Sequence, residues 1–139
     1  MGAWSEENYG NDDAGDWVWE LEKSKGLDTL LSPINAILSN TQYLESPSCS
    51  EALAAAEVIA SSISGDMSKI PAEAQKWLNK KQGLFGKRPI ISKEHAVLAK
   101  QAVEKILENS ELKELWEESE HYSNWRQVQS LLIGKLDNV

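Results

Sequence analysis

The sequence predicts an all-α protein: a single-domain bundle of six or seven short helices over residues 1–139. Three observations support this. Apolar residues recur three and four positions apart along most of the chain, no segment alternates as a strand would, and helix-capping residues precede most of the periodic segments. The chain has 139 residues, and 41% of them are hydrophobic. That length suits one domain, and that composition argues against disorder.

The first helix is predicted to follow residues 11–13, which are Asn, Asp and Asp. Their side-chain oxygens can accept the unpaired amide hydrogens of a first helical turn. Basic residues and then a glycine at 23–26 end the helix. Trp17 and Leu21 form its apolar stripe, while Trp19 points elsewhere. We expect residues 1–10 to form an N-terminal arm packed on the bundle.

The next two helices have different kinds of start. Asp28 is predicted to cap the second helix, and Pro33 should kink that helix or begin it afresh. Ser48 and Glu51 fit a capping box at the start of the third helix. This alanine-rich helix, at about 49–64, is predicted to be the centre of the core because small side chains let neighbouring helices approach closely.

The second half of the chain carries four further helix starts. Pro71 is predicted to begin the fourth helix at its first position. Ser92 should cap a helix over about 93–109, Ser110 the next one and Ser123 the last. A glycine-bounded basic loop at 82–89 precedes the last three of these helices. We interpret its apolar residues as a plug, and its role stays open because loops often carry function.

Helical periodicity also predicts which side chains are buried. Val97 is expected to face inward on the helix over about 93–109. The residues predicted to lie in the core are Trp17, Leu53, Ala56, Val103 and Trp116.

Charge is unevenly distributed along the chain. Residues 1–22 carry seven acidic and no basic side chains, 66–100 carry eight basic against three acidic, and 104–120 carry seven acidic against two basic. The net charge is −8 and the pI is about 4.8. This balance argues against nucleic acid or an anionic membrane as a partner. It favours a soluble protein, or one that meets a basic partner.

The single cysteine, Cys49, excludes an intramolecular disulfide and fits a reducing cytosol. The N-terminus has no basic region followed by an apolar run, and no segment reaches transmembrane length. We therefore expect a cytoplasmic protein. Cys49 with His95 or His121 would be a nucleophile arrangement, but nothing in the sequence brings them together.

Carboxylates one helical turn apart near the N-terminus could share a cation. The residues concerned are Asp12, Asp13, Asp16 and Glu20. Oxygen-only sites need more ligands than this segment offers, and capping explains the first two. We therefore expect no metal, no cofactor and no catalytic residues, and the protein is not expected to be an enzyme.

Three segments carry a resemblance to a known family. They are the opening Met1–Gly2–Ala3–Trp4 with Tyr9 and the run Asn11 to Trp17, then residues 51–58, then residues 110–119. They resemble a family of small bacterial proteins classed only as a domain of unknown function. The family pattern has glycines at the positions of Ser5 and Glu7 and Phe at that of Tyr9. The resemblance implies a shared fold and no activity.

Two functions are consistent with these features. The first is an immunity protein, or antitoxin, that neutralises a cognate bacterial toxin domain of basic, nuclease type by occluding its active site, because acidic side chains steer association and mimic phosphates. The predicted contact residues are first Glu114, Glu117, Glu118, Glu120, His121 and Tyr122, and second Glu6, Glu7, Asp12 and Asp16. The alternative is a cytosolic enzyme, or a small-ligand or metal-binding protein, that uses the region of Asp12, Asp16 and Trp17.

Overall fold

Seven helices and no strand make up the regular structure of residues 5–80 and 88–138, which are the residues that the computed structural model describes. The predicted all-α bundle is confirmed. None of these helices is both long and apolar enough to cross a lipid bilayer. In chain order the helices are α1 Asp12–Lys23, α2 Asp28–Ser39, α3 Ser46–Ser64, α4 Ala72–Asn79, α5 Lys93–Glu108, α6 Glu111–Glu117 and α7 Tyr122–Asp137.

The helix α3 lies at the centre of the bundle. It contacts α1, α2, α5, α6 and α7. Every residue from 52 to 61 is buried, which requires neighbours on all sides of the helix, and five of those residues are alanines. The prediction of a central core helix is confirmed. Glu57 is the one charged residue within this buried run.

Three of the predicted helix caps are confirmed. The side chain of Asn11 accepts a hydrogen bond from the amide of Ala14 at 2.9 Å. Ser92 caps α5 and Ser110 caps α6 in the same way. His95 completes a capping box, because its Nδ1 accepts the backbone N–H of Ser92 at 3.0 Å.

The predicted capping box of Ser48 and Glu51 is wrong. Helix α3 begins three residues earlier than predicted, at Ser46, with Pro47 in its first turn. Proline fixes a helical φ and lacks the N–H that would go unpaired there. The backbone N–H of Ser46 is satisfied from elsewhere, since the carboxylate of Glu111 accepts it at 2.7 Å.

Three other predicted starts differ from the structure. Pro71 is the N-cap residue of α4 and not its first helical residue. Helix α7 begins at Tyr122 and not after Ser123, and its N-cap residue His121 makes no side-chain capping bond. The N-cap residue of α2 is Leu27, and Asp28 is instead the first helical residue. A carboxylate in the first turn still suits the positive end of the helix dipole.

Side-chain burial agrees with most of the prediction. All five predicted core residues are buried. Val97 is an error, since 48% of its surface is exposed. The buried face of α5 runs through Ala96, Ala99 and Val103, and Val97 lies just off that stripe. Helix α2 continues through Pro33 as one helix, so it does not restart there.

Two predicted features lie outside the described residues. Residues 82–87 of the loop at 82–89 are among them, and so is Trp4 of the predicted arm. Residues 5–10 of the arm are described and hydrogen-bond to α3 and α7, as detailed below.

Candidate functional site

Three buried polar side chains meet where the arm crosses α3 and α7. Asn8 donates through Nδ2 to Glu57 Oε2 and to Gln129 Oε1, each at 3.0 Å. Gln129 returns a hydrogen bond from Nε2 to Asn8 Oδ1 at 2.7 Å. The exposed fractions of Asn8, Glu57 and Gln129 are 4%, 3% and 0%. Buried polar groups are costly unless they are paired, so this network fixes the arm on the bundle.

A tight turn brings Asn8 to this position. The backbone N–H of Gly10 donates to the carbonyl of Glu7 at 2.9 Å. A Cβ at position 10 would collide with the side chain of Ser5, so the turn requires glycine there. The hydroxyl of Tyr9 then donates to the carbonyl of Ala54 at 2.9 Å and fastens the turn to α3.

A cavity of about 250 Å³ lies beside Glu57, between the arm and α7. We call it the Glu57 cavity. Glu57 Oε1 accepts no hydrogen bond from any described residue. It is not sealed in the core either, because among the described residues Ser61 Oγ is the fully buried side-chain polar atom without a partner. The cavity is lined by Glu6, Glu7, Glu57, Lys69, Asn124, Gln127, Val128, Leu131, Leu132 and Lys135.

The electrostatic setting of Glu57 is unusual for a carboxyl group. Burial raises the pKa of Glu57 to about 7, against the opposing effects of the Asn8 hydrogen bond and of Lys135. The two lysines of the cavity are paired, Lys69 with Glu7 at 3.1 Å and Lys135 with Asp66 at 3.2 Å. At neutral pH the carboxyl group is therefore close to half ionised, and it can donate or accept a proton or bind a cation.

The residues predicted first as a contact surface lie at the end of α6 and the start of α7. We call residues 114–122 the acidic turn. Glu114 accepts a hydrogen bond from the Tyr43 hydroxyl at 2.6 Å, and Glu117 pairs with Lys113 at 3.6 Å. Glu118 and Glu120 are exposed, and their carboxylates have no partner among the described residues. These two acids are the ones free to meet another molecule.

His121 and Tyr122 complete the acidic turn. His121 is exposed, and Tyr122 is half-buried. The ring of Tyr122 stacks on Trp125 with 6.2 Å between centroids, and Trp125 stacks in turn on Trp116 at 6.3 Å. The aromatic side chain next to the acids is thus held by the core.

The residues predicted as a second contact surface are divided by the fold. Glu6 and Glu7 line the Glu57 cavity. Asp12 and Asp16 lie on the exposed side of α1, while Trp17 is buried. In the part of the chain that the structure describes, no three His, Cys, Asp or Glu side chains are placed to share a metal ion. Among the described residues, the region of Asp12, Asp16 and Trp17 therefore holds no cluster of metal ligands.

Cys49 is fully buried in the core. Burial raises the pKa of its thiol to about 11, despite hydrogen bonding to Ser110 and to the backbone of Leu112 that lowers it. A reactive cysteine is partly exposed and has a lowered pKa. His95 is occupied in the cap of α5, so Cys49 is a structural side chain.

We predict that Cys49 reacts with a disulfide reagent such as DTNB only when the protein unfolds. At pH 8 a thiol with a pKa of about 11 is roughly one-thousandth ionised, and the thiolate is the reacting species. Mixing the native protein with the reagent should give a very slow absorbance rise, and the protein in denaturant should react at once. Rapid stoichiometric reaction of the native protein would contradict the burial.

Sequence reasoning missed the Asn8, Glu57 and Gln129 network. One signal was present, since Glu57 interrupts an alanine-rich segment predicted to be buried all round. A charge in such a segment needs a partner or a raised pKa. The partners themselves gave no local signal, because Asn8 and Gln129 lie 121 positions apart in the sequence.

The chain belongs to a family described as a domain of unknown function (DUF4259), whose model matches residues 2–128. The family resemblance read from the sequence is confirmed. No curated protein and no solved structure gave a significant match. The matched span contains Asn8, Glu57 and the acidic turn, and it ends one residue before Gln129.

Proposed function

We propose that this DUF4259 protein is an immunity protein that binds a cognate bacterial toxin domain, basic and of nuclease type, and occludes its active site. The observation that supports this best is the acidic turn. There two exposed carboxylates, on Glu118 and Glu120, stand free beside an aromatic side chain that the core holds in place. On this proposal the protein acts by binding and carries out no catalysis.

The charge of the protein suits such a partner. A net charge of −8 attracts a basic domain over distances of about a Debye length, which is ~8 Å at physiological ionic strength. Carboxylates presented at one turn can occupy positions that substrate phosphates take in a cationic active site. Complementary charge raises the association rate above all, and speed matters for an inhibitor of a toxin.

The aromatic stack provides the second element of an interface. Interfaces derive most of their binding energy from a few well-packed anchors, often Tyr, Trp or Arg. Tyr122 is already fixed by Trp125, so little side-chain entropy is lost when a partner covers it. Arg126 lies over the Tyr122 ring at 5.9 Å and helps to hold it.

Reversing the two free charges should weaken this binding. We predict that the double variant Glu118→Lys, Glu120→Lys lowers the association rate with the toxin domain at least about tenfold and abolishes protection when toxin and protein are co-expressed. The helical circular dichroism spectrum should not change, because both side chains are exposed. Stopped-flow or surface plasmon resonance at several salt concentrations gives the rates.

A matched control carries the same change of charge elsewhere. Glu104 and Glu108 are both exposed on α5, outside the acidic turn. The variant Glu104→Lys, Glu108→Lys should therefore leave most of the association rate and the protection intact. If the Glu118, Glu120 variant protects as well as the parent, the acidic turn is not the interface. The toxin itself is sought by affinity capture from the native strain and in the adjacent genes, and its absence from both would refute the immunity function.

The alternative of an enzyme or small-ligand binder also remains a proposal, but its location changes. Asp12 and Asp16 are exposed, and neither lines the groove that Trp17 borders with Asp28 and Glu51, so the three predicted residues do not converge on one pocket. The Glu57 cavity has both volume and a perturbed carboxyl group, which are the usual marks of a ligand site.

A further inference from the structure

We propose that the Glu57 cavity is a binding site for a small amphipathic cation, that is, a primary ammonium or a guanidinium carried on a short aliphatic chain. The site lies between the arm and α7, and it contains no residue of the acidic turn. It therefore stands independently of the immunity function.

Glu57 has one carboxylate oxygen that accepts no hydrogen bond from any described residue. The side chain is 3% exposed, and among the described residues only Asn8 bonds to it, through Nδ2 to Oε2 at 3.0 Å. An ionised carboxylate offers about four acceptor positions. Because Glu57 lines the cavity, a donor bound there could bond to the acceptor positions that the described residues leave unused.

The charged residues that line the cavity include more acidic than basic side chains. Lys69 is paired with Glu7, and Lys135 is paired with Asp66. These pairs neutralise both basic groups of the cavity. The acids of the cavity that remain are Glu6 and Glu57, neither of which has an ion-pair partner among the described residues. The site is therefore complementary to a cation and opposed to an anion.

The walls of the cavity combine apolar side chains with uncharged polar ones. Val128, Leu131 and Leu132 form an apolar side, while Asn124 and Gln127 place amide groups on the same helix. The volume of about 250 Å³ is far more than one water molecule needs. Among the described residues the apolar lining is aliphatic and includes no aromatic side chain, so an aliphatic chain is the matching occupant.

Leu131 gives a further reason to expect an occupant. Its exposed fraction is 54%, which is high for a leucine beside a core helix. An aliphatic chain that extends from the carboxylate toward solvent would cover it. The free energy gained by such burial is about 25 cal/mol per Å² of apolar surface.

Ionisation of Glu57 gives the site a characteristic pH dependence. The pKa of Glu57 is about 7, and that of Tyr9 is raised well above its usual value by burial. A cation binds the ionised carboxylate, so its affinity should rise by about tenfold from pH 6 to pH 8 as that form is populated. The titratable groups around Glu57 come from the arm, from the segment between α3 and α4 and from α7, and they are Glu6, Glu7, Tyr9, Lys69 and Lys135.

The test is a titration of the full chain with n-pentylamine and with agmatine at pH 6 and pH 8, followed by calorimetry and by NMR. We expect saturable binding, about tenfold tighter at the higher pH. The variant Glu57→Gln should lose at least about tenfold in affinity at pH 8 and should lose the pH dependence. The matched control Glu20→Gln, at an exposed position on α1, should bind as the parent does.

A second variant guards against misfolding of the first. Leu131→Lys places a cation at the exposed edge of the cavity without touching the core, and it should weaken amine binding as well. Blocked lysine and arginine amides distinguish the source of the cation. If they bind and the free amines do not, the cation is a protein side chain; the reverse result assigns a free metabolite.

Three results would overturn the proposal. One is no saturable binding by any of the four probes up to about 10 mM. Another is amine binding that Glu57→Gln leaves unchanged. The third is tighter binding of an anion such as pentanoate, strengthening toward pH 6. The Glu118→Lys, Glu120→Lys variant should bind amines normally, so failure of the immunity function and failure of this site can be told apart.

Discussion

Trp17→Ala should lower the free energy of unfolding by roughly 3–5 kcal/mol, the usual cost of truncating a buried tryptophan. The side chain is 6% exposed and belongs to the face of α1 that includes Ala14 and Leu21. Trp17 lies beside residues of α2 and α3, among them Pro33 and Glu51, so its truncation would leave a gap where three helices meet. Urea denaturation followed by circular dichroism measures the loss.

The control for this prediction lies two residues away. Trp19 is on the same helix, but its exposed fraction is 58%. Its main contact is with Lys23, whose Nζ lies 4.0 Å from the ring centroid, and an exposed pair of this kind contributes less than about 1 kcal/mol. Trp19→Ala should therefore cost little. Equal losses in the two variants would show that Trp17 does not anchor α1 to the core.

The fold was largely predictable because its helices follow local rules. Apolar residues at helical spacing identified Trp17, Leu53 and Val103 as core. A short polar side chain immediately before a helix identified Asn11 and Ser92 as caps. Each of these signals depends on neighbours within one or two turns of the chain, so one sequence contains all the information needed.

The errors arose where a distant residue determines the local structure. Ser46 begins α3 in place of the predicted Ser48 cap, and its N–H is accepted by Glu111, which is 65 positions away. The start of α7 is a different case, because Tyr122 precedes the predicted start at Ser123 and stacks on Trp125, only three positions along the same helix. Capping propensity is worth about 1 kcal/mol, and a tertiary contact of similar size can override it.

In the candidate sites, too, features set by the local sequence were predictable and features set by distant residues were not. The acidic turn was visible as a run of glutamates, since exposure of such a run is the ordinary outcome. That Glu114 is bonded to Tyr43 was not visible, because the two are 71 positions apart. The Glu57 cavity needs the arm, α3 and α7 together, and it appears only when the whole chain has folded.

Glu57→Gln should remove a pH dependence from the stability of the protein. Burial raises the pKa of Glu57 from 4.5 to about 7 in the folded state. Between these values the folded protein holds a proton that the unfolded chain has lost, so the parent is destabilised as pH rises. The stability contributed by the neutral carboxyl group is fully present below about pH 4.5 and is lost as pH rises through about 7.

The size of the effect follows from the shift. A difference of about 2.5 pH units corresponds to roughly 3 kcal/mol at pH 8. Glutamine has nearly the shape of the protonated acid and can still accept the hydrogen bond from Asn8. The variant should therefore match the parent below about pH 4.5 and exceed its free energy of unfolding by roughly 3 kcal/mol at pH 8.

Subtracting the parent from the variant at each pH isolates this residue. The pKa of Asp66 is lowered, so its contribution changes only in more acidic solution, and that of Glu51 is raised equally in both proteins. Denaturation at pH 5, 6, 7 and 8 gives the curve, with Glu20→Gln as the exposed control. A difference that stays flat across this range would mean that Glu57 is ionised throughout. A high concentration of pentylamine should reduce the difference in free energy of unfolding between variant and parent at pH 8. The bound cation stabilises the folded parent through the Glu57 carboxylate, and the variant has no such charge.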